Sequence, residues 1–168
     1  MKRILHWEPL SILIAIVSGT LLHFTYEWSM HNRLVAIFSA TNESVWEHLK
    51  IAFWPEIVIA IVYFIKKKPP FKKFITATAS LLVTTLLIIT SFYYTYTGII
   101  GNHFLVIDIA IFILAIIFGF YMFFGILNDK NDCSTVGAII STVIVIGLLA
   151  AFLLLTNHAP DLGIFMSE

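Results

Sequence analysis

The sequence predicts an all-α fold, a polytopic transmembrane helix bundle of five spans with the N-terminus inside and the C-terminus outside. Three observations predict it. Hydrophobic residues make up 60% of the 168 positions and charged residues only 12%, against about 25% charged in soluble domains, and the mean hydropathy is +0.95. Five apolar stretches reach the length of about 20 residues that a helix needs to cross roughly 30 Å of hydrocarbon. The basic residues are sorted by side: Lys2, Arg3, Lys66, Lys67, Lys68, Lys72, Lys73 and Lys130 fall on one side of a five-span arrangement, and Arg33 and Lys50 on the other. The positive-inside rule makes the first side cytoplasmic.

Span one is read near 9–29. It carries His23, Tyr26 and Glu27 and has no A-x-A-like site, so it reads as a retained helix and not as a cleaved signal peptide. Span two, near 46–65, opens on Ser44-Val-Trp-Glu47, which matches the capping box S/T-x-x-E, and holds Pro55-Glu56 near its middle. Pro69 and Pro70 mark the inner turn before span three, near 72–95, and Gly98 and Gly101 mark the outer turn after it. Spans four and five lie near 103–126 and 136–156. Runs such as LLVTTLLII and IAIFILAIIF are apolar without alternation, which excludes the dyad pattern of a transmembrane barrel. The chain reads as one domain, 1–168, with no internal repeat, and five helices do not divide into inverted halves of the transporter kind.

Trp28, Trp46, Phe92, Tyr93, Tyr94 and Tyr96 gather near the predicted outer boundary and Trp7 near the inner one, where amphipathic rings settle at headgroup depth. The lipid bilayer is the partner that the composition implies. KKKPPFKK reads as a topology signal, and no nucleic-acid module is visible. Cys133 is the single cysteine, so there is neither a disulfide framework nor a thiolate metal motif.

The polar residues collect on the predicted outer side. Five of the six histidines, His23, His31, His48, His103 and His158, map there with Glu27, Glu43, Glu47, Asn42, Asn102 and Asp108. His23, Glu27 and His31 recur at i, i+4 and i+8, so a helix running that far drifts only about 40° per step and keeps them on one face. Ionisable groups within a span are costly and usually face the bundle interior. Two readings of His23 stand: an ion pair with Glu27 inside the helix, or a ligand. In span two, Glu43, Glu47 and Lys50 fall within about 60° on a helical wheel while His48 points about 100° from Glu47, so span two alone does not assemble a four-ligand cluster. Glu47 reads either as a cap residue with Lys50 neutralising its face or as an acid–base group.

Antiparallel spans joined by a short loop bring their outer ends together, so His23, Glu27, Glu43, Glu47 and His48 are expected around one pocket. In the catalytic reading His23, Glu27 and His48 bind a divalent metal such as zinc, Glu43 and Glu47 supply the general base, and Tyr26, Asn42, Asn102 and Asp108 support them. No HExxH motif is present. Glu56 is the deepest carboxyl and an intramembrane proton-carrier candidate, because a neutral acid is cheaper than a charge at mid-bilayer; a protonated glutamate that only bonds a neighbouring helix is the equal alternative. Asp108 is read the same way at shallower depth.

The words GTLLHFTYEWS at 19–29, NESVWEHLK at 42–50 and YTYTGIIGNHFLVID at 94–108 resemble a family of small five-span bacterial membrane proteins catalogued as a domain of unknown function. The resemblance implies the five-span architecture, a bacterial cytoplasmic membrane and, in other members, a proline-rich outer tail beyond the point matching HAPDLGIFMSE. It implies no activity and no partner protein. Three functions follow from the residues: an enzyme at the outer leaflet that uses a metal, a proton- or ion-coupled carrier, and a non-catalytic accessory or scaffold protein whose polar groups hold the bundle together.

The charge asymmetry sets a test of topology. In a Cys133→Ser background, Lys68→Cys is expected to be shielded from an impermeant thiol reagent in intact cells and Met166→Cys to react. Equal labelling of both from outside contradicts the orientation.

Overall fold

The computed structural model describes residues 7–156 and 160–166. Within them five long apolar helices alternate in direction: α1 (Trp7–Trp28), α3 (Val45–Lys67), α4 (Phe71–Ile100), α5 (Leu105–Asn128) and α6 (Thr135–Leu155). A four-residue helix, α2 (Arg33–Ala36), lies in the connection between α1 and α3, and a 3-10 turn covers Gly163–Phe165. Each long helix has the length and composition to cross a bilayer, and no strand occurs among the described residues. The chain is thus an all-α, multi-pass membrane protein. His158 lies outside the described residues.

Helices α3 and α4 are the most enclosed, while α1 and α6 present most of their apolar surface outward. That distribution suits a bilayer, where lipid replaces protein around the outer helices. At one end, called here the basic end, the Lys66 and Lys67 ammonium groups lie 5.4 and 5.3 Å from the Trp7 ring. Lys73 there donates to the Asp129 carbonyl and Lys72 to Thr135 Oγ1, at 2.6 and 2.8 Å. The other end, the histidine end, carries the connection from α1 to α3.

Two close helix approaches position the polar residues. Pro55 lacks an N–H, so the Ile51 carbonyl one turn earlier has no helical donor from it. Gly19 of α1 packs on that carbonyl: a Cβ there would stand 2.9 Å from Ile51 O and 2.7 Å from Phe112 Cζ of α5. Gly119 of α5 leaves room in the same way for Thr85 of α4, whose hydroxyl a Cβ would overlap. Small residues let helices approach where no hydrophobic force acts between them.

Two helix ends differ from the sequence expectation. Helix α4 continues through Gly98, and Gly101 alone stops it, at φ 79° with its N–H on the Thr97 carbonyl. Glycine reaches that left-handed backbone without a Cβ clash, whereas Gly98 sits in a helical turn with nothing near it. Helix α1 stops at Trp28, short of His31. Met30 N–H bonds Glu27 O and His31 N–H bonds Tyr26 O, at 3.0 and 3.1 Å, the paired bonds of a Schellman ending. Met30 and His31 both take positive φ, 54° and 61°, so the i+8 extrapolation from His23 to His31 fails and His31 folds back over the helix end.

Gly19→Ala is expected to destabilise the protein by about 1–3 kcal/mol through overpacking, read as a lower thermal unfolding midpoint in detergent. Gly98→Ala, in open helix, is expected to be neutral or stabilising by up to about 1 kcal/mol. Equal effects of the two would contradict the close packing of α1 on α3.

Candidate functional site

The connection between α1 and α3 folds back along the bundle. Ser39 is fully buried. Its hydroxyl donates to the Leu22 carbonyl and accepts the Tyr26 N–H at 2.9 Å and the Thr25 hydroxyl at 2.9 Å. Leu22 O and Tyr26 N would bond each other in an undisturbed helix, so Ser39 is inserted at that rung of α1. Ala40 N–H reaches Leu22 O as well, at 3.3 Å. From the other side Trp54 Nε1 donates to Ile37 O at 2.9 Å. Leu22 lies six residues before the end of α1, so the connection descends about 9 Å below that helix end.

Irregular backbone at that depth requires protein partners for its polar groups. Glu47 and Lys50 provide them. Lys50 is 0% exposed and its ammonium pairs with Glu47 Oε2 at 2.6 Å while donating to Ala36 O at 2.7 Å. The same Glu47 oxygen accepts Thr41 N–H at 2.8 Å. Ser44 caps α3 by accepting the Glu47 N–H at 3.4 Å, but the reciprocal half of the capping box is taken by Asn42, whose side-chain oxygen accepts Ser44 N–H at 2.9 Å. Glu47 and Asn42 therefore hold the loop.

That loop carries Glu43 to a position between two helices. Glu43 Oε2 lies 3.5 Å from His23 Nε2 on α1 and 3.8 Å from His48 Nε2 on α3. The two rings are 5.3 Å apart, and one ligand atom from each of the three residues lies within 4.8 Å of the other two. His48 Nδ1 is 2.9 Å from Ser44 O. A carbonyl oxygen only accepts, so Nδ1 carries a proton. Among the described residues no ion pair joins His23 to Glu27.

A cleft of about 160 Å³ adjoins His23 and Glu43, walled by Tyr26, Glu27, His31 and Asn42 among others. Glu27 stands there one turn beyond His23, and His31 meets the Tyr26 ring edge-on at 5.0 Å. Asn102 and Asp108 do not line this cleft. Asp108 is in the first turn of α5, shallower than expected because α5 begins at Leu105. It accepts from Tyr96 Oη and lies 3.1 Å from His103 Nδ1, while Asn102 accepts His103 N–H at 2.9 Å; together they close the turn between α4 and α5. Glu56 is elsewhere again, buried at the junction of α3 with α4.

Sequence reasoning did not single out Ser39 or Trp54. Ser39 sits in a run of small residues, Ser39-Ala40-Thr41, the only local sign that this stretch packs closely. Lys50 was visible as the partner of Glu47 at i+3, but not its complete burial.

Residues 1–168 match the model described as "Family of unknown function (DUF6512)". No curated protein and no solved structure matches the chain.

Breaking a buried ion pair from one side leaves an uncompensated charge at a cost of about 3–5 kcal/mol. Lys50→Met is expected to show a loss of that order in detergent unfolding, and the double variant with Glu47→Gln to recover a substantial part. An undiminished loss in the double variant would mean that Lys50 acts by packing alone.

Proposed function

We propose, for a chain that belongs to DUF6512 and takes no activity from that family, a multi-pass metalloprotein of the bacterial cytoplasmic membrane. Its centre is His23, Glu43 and His48, it faces outward, and it serves hydrolysis of a substrate at the outer leaflet. The supporting observation is the orientation of His48. With its Nδ1 proton directed at Ser44 O, Nε2 is the ring nitrogen that faces the Glu43 carboxylate, at 3.8 Å, and on a neutral ring it carries the lone pair. On a neutral ring the two electron-rich atoms repel unless a cation stands between them. A ring whose far N–H is held by a backbone carbonyl is also how metal-binding histidines are oriented.

Two imidazoles and one carboxylate suit zinc, and three protein ligands leave a coordination place toward the cleft. A divalent ion there would act as a Lewis acid and lower the proton affinity of water. Glu43, read from the sequence as a base, takes the ligand place in this proposal. Glu27, read there as a ligand, stands on the cleft wall and takes the place of the base. Glu47 is left out of the chemistry because Lys50 and Thr41 occupy its carboxylate.

One observation favours a second reading. The Glu43 side chain is 69% exposed, which suits a water-screened pair between a carboxylate and protonated histidines, with an accessory role for the protein.

Metal titration separates the two. Wild type in detergent is expected to bind zinc at one site, and His23→Ala, Glu43→Gln and His48→Ala to weaken it by at least roughly tenfold; Glu47→Gln, if folded, is expected to weaken it less than any of these. Absence of binding in wild type, or equal binding in all variants, would leave the ion-pair reading.

A further inference from the structure

Glu56 lies on α3, fully buried, in the half of the bundle where α3, α4 and α5 meet. Its Oε1 is 2.7 Å from Thr85 Oγ1 of α4, and the same hydroxyl is 3.4 Å from the Ala115 carbonyl of α5. Its Oε2 is buried without a hydrogen-bond partner among the described residues. No ion pair reaches it among those residues; the buried Lys50 on the same helix is occupied by Glu47 and Ala36.

The proton count decides the arrangement. A threonine hydroxyl has one proton to give and can accept on its lone pairs. Ala115 O only accepts. If Glu56 were ionised, Thr85 would have to spend its proton on Oε1, leaving its contact with Ala115 O as two facing oxygens and a full charge in an apolar core with one hydrogen bond. If Glu56 is the neutral acid with its proton on Oε1, it donates to Thr85 and Thr85 donates onward to Ala115 O. Both contacts then have a proton, and the orphan is a neutral carbonyl oxygen, which costs far less than a bare carboxylate oxygen.

We infer that Glu56 is a proton-binding site in the membrane core, its proton held on Oε1 by a chain that runs from Glu56 through Thr85 to the Ala115 carbonyl. The chain crosses three helices. Gly119, one turn beyond Ala115 on α5, keeps the place clear, since a Cβ there would overlap the Thr85 hydroxyl. Proton occupancy and the approach of α4 to α5 are thereby linked: removing the proton turns the Thr85 hydroxyl toward Glu56 and leaves Ala115 O without it. The site is separate from His23, Glu43 and His48 and stands whether or not those residues bind a metal.

Infrared spectroscopy of the full chain in lipid at neutral pH reads the proton directly. Wild type is expected to show a protonated-carboxyl C=O band that is lost in Glu56→Gln. In Thr85→Val the band is expected to persist but move to higher frequency, as the acid loses its acceptor, and in Thr85→Ser to stay near the wild-type position. Asp108→Asn is expected to leave it in place. A Glu56→Gln difference confined to the carboxylate region would overturn the inference, as would a band indifferent to Thr85→Val. If Glu56→Gln does not fold, the contrast between Thr85→Val and Thr85→Ser gives the decision.

Discussion

The ion pair between Glu47 and Lys50 is the interaction on which the histidine end depends. A connection that descends below the ends of its helices must find donors and acceptors within the protein, because hydrocarbon offers none. Lys50 satisfies Ala36 O and Glu47 satisfies Thr41 N–H, and each neutralises the other at 2.6 Å. Buried pairs often contribute little net stability against an apolar replacement. Their value here is geometric: they fasten the two ends of the segment 36–41, with Ser39 wedged into α1 between them, and so fix where the chain re-emerges as Glu43.

Helix α3 distributes its polar groups by direction. Glu47, Lys50 and Trp54, at i, i+3 and i+7, share the face that meets the folded-back connection. His48 turns toward α1 and His23. Glu56 turns toward α4 and Thr85. One helix thus supplies the Glu47–Lys50 clasp, the approach of His48 to His23 and the contact of Glu56 with Thr85 without their competing for partners. Pro55 sits beside the last of these and frees the carbonyl on which Gly19 packs, so α1 is held against α3 both where the histidines meet and at mid-bundle.

The five spans were legible in the sequence because bilayer thickness dictates apolar length, a constraint that acts on composition alone. The approach of His23 to His48 also followed from a short loop between antiparallel helices. What was not legible depended on where the loop goes. Helical spacing carried His31 onto the His23 face, whereas a Schellman ending with two positive φ values turns it back. Glu43 and Glu47 looked equivalent on a helical wheel, yet Glu43 precedes the cap and swings out to the histidines while Glu47 is drawn inward by Lys50. Asn102 and Asp108 looked like part of one polar belt, but their bonds close the α4–α5 turn. Each difference arises at a helix end or in a connection, from hydrogen bonds that helical periodicity does not encode.

The central claim is that His23, Glu43 and His48 form one centre from two helices and the loop between them. X-ray absorption at the zinc edge of the zinc-loaded protein tests it most directly, because imidazole rings give a multiple-scattering signature distinct from water or carboxylate. Two imidazole nitrogens at about 2.0–2.1 Å with oxygen completing the shell, and loss of one imidazole in His48→Ala, is the predicted result. A shell of oxygens alone, or a spectrum that His48→Ala leaves unchanged, would contradict it.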